Sequence, residues 1–320
     1  MLRSLLIYLS QADWMRRLMM SMKIARKVAL RFVAGETLEQ AIDVIKELNE
    51  KSMLATLDQL GEHTDTAEKA KNTTGEIIKI LDAIDRSGVK SGLSIKLSQL
   101  GLLLDQDLCE NNVKQILEHA QELNIFVRID MEESACVDAT LELYWKMRRE
   151  FRFENVGMVL QSCLYRSKQD TADLLAGGAR IRMVKGAYLE PAEIAYPKKK
   201  DTDAAFDDLT RMMLDAAKSE ESPAVSEDGR WPPVTAAGTH DEARILNAID
   251  YAESNGIPKE KLEIQMLYGI RRDLQQRLTE QGYPVRIYVP FGTEWYPYFM
   301  RRLAERPANL WFFVSSLFRK

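Results

Sequence analysis

Cysteine and histidine are scarce in this 320-residue chain. Only Cys109, Cys136 and Cys163 and only His63, His119 and His240 occur, all far apart. That spacing excludes a disulfide framework and the usual structural zinc set, and it suits reduced thiols in a cytoplasmic protein. No stretch of about 18 uncharged apolar residues is present, so no membrane-spanning helix is expected. No GxGxxG follows the first apolar strand, which argues against a dinucleotide-binding Rossmann domain. Nor is there an excess of positive charge: the net charge is −4, and nucleic acid is not expected as a partner. What is abundant is apolar side chains, 46% of residues, ample for one large α/β domain or two smaller ones.

The first 35 residues differ from the rest. Arg3, Arg16, Arg17, Lys23, Arg26, Lys27 and Arg31 face the single acid Asp13, and Leu5, Leu6, Ile7, Trp14, Leu18 and Met19 to Met22 are interleaved with them. The arginines interrupt any apolar core of a signal peptide. We expect residues 1–50 to form a helical arm. Packing on its own domain and reversible contact with an anionic membrane surface both remain open.

From residue 51 to residue 320 one pattern repeats. Short β-rich runs at Met53–Asp58, Leu93–Ser98, Ile125–Asp130, Val156–Gln161, within Arg180–Tyr188, at Val234–Gly238, Leu262–Leu267 and Val285–Pro290 alternate with helical stretches. Thr37 is placed to cap the helix before the first of them. The Pro-rich and acidic run Glu220–Pro233 is expected to be a surface insertion. Eight such units predict an α/β fold, a (βα)8 barrel of the TIM type, with a doubly wound open sheet as the alternative.

In a barrel, chemistry gathers at the C-terminal ends of the strands. The polar residues there are Lys96, Asp130, Gln161, Arg182, Lys185, Thr239, His240, Gln265 and Tyr288. The fifth strand, in RIRMVKGAY, places Arg180, Arg182 and Lys185 where a parallel sheet is normally apolar, and such cations need anions to meet them. Gly186 then lets the backbone come close to something bulky. An anionic cofactor fits this pattern. A Schiff base on Lys96 or Lys185 fits it equally well, and so does a scaffold that serves only the basic arm.

The run of motifs LGE at Glu62, LSIKLS, RIDMEES, VLQ, RIRMVKGAY, GTHD, QML, YVPFG and WYPYFMRRLAERPAN resembles monofunctional bacterial proline dehydrogenase from about Met53 to Asn309. The resemblance implies a distorted (βα)8 barrel that binds FAD, oxidises L-proline to Δ1-pyrroline-5-carboxylate in the first step of proline degradation, and passes electrons to a membrane quinone. It implies that Arg301 and Arg302 clamp the proline carboxylate, with Lys96 contacting it and Tyr288 packing on the ring. Glu62 is implied as an ionic gate with Arg301. Arg182 is the match for an arginine near flavin N5, and Asp130 is expected to orient the site. The expected FAD contacts are Met131, Gln161, Arg182, Lys185, Gly186, Ala187, Thr239, His240, Gln265 and Leu267. No metal is implied. We expect a cytoplasmic enzyme, with the arm suited to peripheral contact on the inner face of the cell membrane.

Overall fold

A computed structural model of the chain describes Trp14 and residues 29–61 and 63–305, with residues 301–305 described by their backbone alone. Most of the N-terminal arm, Glu62 and the side chains of Arg301 and Arg302 therefore lie outside the described residues.

Eight parallel strands close on themselves in sequence order: β1 Leu54–Gln59, β2 Ser91–Ile95, β3 Val127–Ile129, β4 Val156–Gln161, β5 Ile181–Val184, β6 Thr235–Gly238, β7 Leu262–Leu267 and β8 Val285–Phe291. The expected TIM-type barrel is what forms. Closure runs through β1 and β8, which pair from Leu54 with Arg286 to Gln59 with Phe291. The helices are α1 Leu38–Glu50, α2 Ala67–Ser87, α3 Gln106–Glu122, α4 Val137–Arg149, α5 Ser167–Ala176, α6 Lys199–Ala216, α7 Glu242–Ser254, α8 Arg272–Glu280 and α9 Trp295–Glu305. Thr37 caps α1 in a reciprocal capping box with Gln40. Ala41, Ile42, Ile45 and Leu48 follow at helical spacing, so one face of α1 is apolar and buried.

Successive strand residues point to opposite faces, and here the two faces differ in chemistry. Leu57, Leu93, Ile95, Val127, Ile129, Ile264, Val285 and Ile287 belong to the one continuous apolar core. Their alternates include Asp58, Ser94, Arg128, Asp130, Arg182, Glu263, Gln265, Arg286 and Tyr288, and among these Asp130 with Arg182 and Tyr288, and Arg182 with Gln265, bond between strands that are not neighbours in the sheet. Such partners meet only through the barrel interior. A barrel of this kind is usually filled with branched apolar side chains; this one is filled with ion pairs.

The lower part of the interior is held by Arg286 and Glu263, 3% and 0% exposed at their side chains. Arg286 makes two bonds of 2.9 Å to the Glu263 carboxylate and donates to the carbonyls of Ala55 and Gly229. Gly229 lies in the stretch expected to be a surface insertion. Only its first part is on the surface. Gly229, Pro232 and Pro233 are buried, and Trp231 stacks on Phe126 at 5.6 Å, so the stretch plugs the N-terminal end of the barrel. Its prolines suit this role, because a plug across strand ends has no ladder in which their missing N–H would be needed. Arg180 donates to the Pro232 carbonyl and lies over the Trp231 ring, which makes it part of this closure.

Removing one member of a buried ion pair leaves the other charge uncompensated. Glu263→Gln should lower unfolding stability by about 3–5 kcal/mol, read from the denaturant midpoint. The same change at exposed Glu227 should shift it by less than about 0.5 kcal/mol.

Candidate active site

At the C-terminal mouth the site is built around the Asp130 carboxylate, 9% exposed, one residue beyond β3. One of its oxygens accepts from the Arg182 guanidinium. The other accepts the Tyr288 hydroxyl at 2.6 Å and has the Lys96 ammonium at 3.3 Å. Lys96 follows the end of β2, because the strand stops at Ile95 and a 3-10 turn begins at Leu97. Its ammonium donates to Asp58 at 2.5 Å and to Tyr288 at 3.1 Å. Arg182 also donates to Gln265 at 3.1 Å and lies 5.2 Å from the Tyr288 ring centre. Strands β1, β2, β3, β5, β7 and β8 thus contribute to one connected network.

Electrostatics fix the protonation states. Burial raises the Asp130 pKa, but the charges of Arg182 and Lys96 outweigh it and hold the carboxyl below its usual value. Burial works against the Lys96 ammonium, yet Asp58 and Asp130 hold its pKa above the ordinary lysine value. Tyr288 is pushed well above the usual phenol range, first by burial and then by the Asp130 and Asp58 charges. Asp58 is raised by burial, which Lys96 offsets only in part.

Lys185 leaves the barrel by the other face of β5. Its ammonium sits between Asp203 on α6 at 2.5 Å and Asp241 at 2.6 Å, and Lys199 joins the same carboxylates. The anions that the cations of β5 require are thus protein carboxylates, for Arg182 as for Lys185. Among the described residues, each of these mouth cations has a carboxylate partner. His240 Nε2 accepts the Leu267 N–H at 2.8 Å, so the neutral ring carries its proton on Nδ1. Thr239 is buried, and its hydroxyl accepts the Asp241 N–H at 3.1 Å. Gln161 donates to the Glu132 carbonyl at 2.9 Å, and Met131 is buried beside that carbonyl.

The structure brings Lys96, Asp130, Arg182, Gln265 and Tyr288 into contact and ranges Gln161, Lys185, Gly186, Thr239, His240 and Leu267 along the β4 to β7 rim. Sequence reasoning passed over Asp58, Asp203 and Asp241 as site members. Asp58 was legible, as an acid closing the apolar run MLATLD before a site loop. Asp203 was not, because an acid on an exposed helix is ordinarily solvated.

One position of the rim admits only glycine. Gly186 has φ +106°, and a Cβ there would lie 2.4 Å from Cys163 Sγ, so only glycine lets the turn lie flat against the end of β4. Immediately after it Tyr188 and Leu189 stand 41% and 72% exposed, apolar surface at the edge of a polar mouth.

A TIM-type barrel with a buried charged network at its C-terminal mouth has the build of an enzyme active site. The sequence profile of the proline dehydrogenase family matches residues 41–314, and the chain belongs to that family. It is 42% identical to "Proline dehydrogenase" of Deinococcus radiodurans over 295 residues, 91% of this chain and 90% of that protein. It is 36% identical to "Proline dehydrogenase 1" of Bacillus subtilis strain 168 over the full length of both. These single-enzyme relatives place it in the monofunctional bacterial branch. Among solved structures, proline utilization A from Bdellovibrio bacteriovorus, inactivated by N-propargylglycine, shares the fold with a TM-score of 0.78 and 24% identity. The match covers 88% of this chain and 33% of that one.

Gly186→Ala forces a side chain into the left-handed turn and against Cys163. It should cost about 1–3 kcal/mol in thermal unfolding, and the purified protein should retain less flavin than the parent.

Proposed function

We propose that this chain oxidises L-proline to Δ1-pyrroline-5-carboxylate with FAD as cofactor and a membrane quinone as electron acceptor. The observation that carries the reading is the Asp130–Arg182–Tyr288–Lys96 constellation at the mouth of the barrel. When bound, FAD supplies the acceptor for the hydride that leaves C5 of proline. The flavin contacts proposed are Met131, Gln161, Arg182, Lys185, Gly186, Ala187, Thr239, His240, Gln265 and Leu267.

Arg182 presents a permanent positive charge, held in place by Asp130 and Gln265, where negative charge develops during reduction. The Tyr288 hydroxyl is tied to Asp130 and Lys96, which fixes its ring as a wall for the proline ring. A lysine ammonium has three donors. Asp58 and Tyr288 occupy two, and the third, now 3.3 Å from Asp130, is the one proposed to meet the substrate carboxylate. Arg301 and Arg302 complete that contact and Glu62 gates it in this proposal; their side chains lie outside the described residues. Asp130 serves as an orienting anion, because a carboxylate held below its ordinary pKa by two cations is a weak base.

The same geometry disfavours the Schiff-base reading. Lys96 is held protonated by Asp58 and Asp130, and Lys185 is clasped by two carboxylates, so neither is a free nucleophilic amine. No helix among the described residues is long and apolar enough to cross a membrane. We place the enzyme in the cytoplasm, with the basic stretch of residues 1–35 reaching the inner membrane face and α1 packed on the catalytic barrel.

The purified protein should show an oxidised-flavin band that bleaches on anaerobic addition of L-proline. A colourless protein that also fails to take up FAD would sink the proposal. Arg182→Ala should slow that bleaching by roughly 10²–10³-fold, whereas Arg180→Ala should change stability and leave bleaching near normal.

Iminium formation needs the neutral amine of proline, while Lys96, Asp130 and Tyr288 each stay in one protonation state through the neutral range. The group whose titration the rate follows is the substrate amine. kcat/KM should therefore rise about tenfold per pH unit along a single limb to an alkaline plateau. A flat profile over the same range would contradict this.

A further inference from the structure

Beneath the network just described, Arg128 on β3 points into the lower interior of the barrel, 3% exposed. Its Nη1 donates to the carbonyls of Met158 at 3.0 Å and Arg180 at 2.5 Å, and one face of the guanidinium lies 5.0 Å from the Phe126 ring centre. Its Nη2 is buried with no hydrogen-bond partner. The other three inward cations each have a carboxylate: Lys96 has Asp58, Arg182 has Asp130 and Arg286 has Glu263. Arg128 has only carbonyl dipoles.

The cavity it faces explains the imbalance. A space of about 10 Å³ is lined by Arg128, Arg182, Arg230 and Arg286 with Thr56 and Gln265, and no carboxylate reaches it. Burial, and then the charge of Arg182, pull the Arg128 pKa well below its ordinary value, with Arg286 and Arg180 adding to the effect and Glu263 offsetting only part. Arg182, Arg286 and Arg230 are each paired with a carboxylate, Asp130, Glu263 and Asp85, so the unmatched charge beside this small space is that of Arg128, and it selects for a negative partner.

Neutral donors complete it. Thr56 and Ser94 share one hydrogen bond of 3.4 Å between their hydroxyls, which uses one of their two protons and leaves the other able to turn into the cavity. Gln265 spends one amide N–H on Glu263 and keeps a second. The space suits one monatomic ion. A tetrahedral oxyanion is too large for it, and the plug from Gly229 to Pro233 closes the way in from below.

We propose that the base of the barrel binds one small monovalent anion, chloride among the common solution ions, as the counter-ion of Arg128. The anion completes the interior charge balance and braces the floor on which Arg182 rests. A bound water would satisfy the Nη2 donor but would leave the charge unmatched, so the two occupants make different predictions.

Crystals of the FAD-loaded enzyme grown with bromide in place of chloride, measured at the bromine absorption edge, should show one anomalous peak within contact of Arg128 and Thr56. Ordinary water density there with no anomalous signal would overturn the proposal. In solution at constant ionic strength, replacing gluconate by chloride should raise the thermal midpoint of the FAD-loaded enzyme by a few degrees and then saturate. Arg128→Met, which removes the charge and keeps an apolar stem, should make the midpoint indifferent to chloride. A parent enzyme with equal midpoints in the two salts, or an Arg128→Met variant that keeps the chloride response, would count against the site.

Discussion

The Asp130 carboxylate is the point on which the mouth of this barrel depends. Its two oxygens gather Arg182 from β5, Tyr288 from β8 and Lys96 from the end of β2, three groups that no strand pairing brings together. Each would be costly to bury by itself. Together they are mutually satisfied, and their protonation states are pinned. The site is consequently set before any substrate arrives, and little side-chain rearrangement stands between the resting structure and one able to orient a small amino acid.

That arrangement requires an unusual interior. Most of the apolar strand residues face the helices, where burial of each large aliphatic side chain contributes about 1.5–3 kcal/mol. The polar alternates face inward. The fold is therefore held by the layer between sheet and helices, and the barrel lumen is released from that duty and filled with paired charges. Arg286 and Glu263 at the base and the Gly229–Pro233 plug keep water from entering below. Burial inside the barrel strengthens the field of a guanidinium on a neighbouring ligand.

Much of the fold was legible in the sequence because period-2 runs ending in polar residues recur at regular intervals, and Thr37 announces its helix. Strand edges were less so: β2 ends before Lys96 and a 3-10 turn begins just after it, and the run ending in Trp231 and two prolines looked like a solvated loop because composition cannot show which cavity it stoppers. At the site, Arg182 and Asp130 were visible as charged residues where apolar ones belong. Their pairing was not, since β3 and β5 lie 52 positions apart and meet only across the lumen. The two carboxylates on Lys185 were hidden for a different reason, since Asp203 comes from the exposed-looking helix α6 and Asp241 from the loop after β6, on the outer side of β5. Membership of the proline dehydrogenase family then gives these residues a common task that geometry by itself leaves open.

The central claim is that Asp130 acts by holding its three partners in place. Anaerobic stopped-flow measurement of flavin reduction by L-proline in the Asp130→Asn variant tests it most directly. The account predicts a folded protein that still carries flavin but is reduced at least about a hundredfold more slowly, with no new dependence on pH near neutrality. Reduction at the parental rate would contradict it.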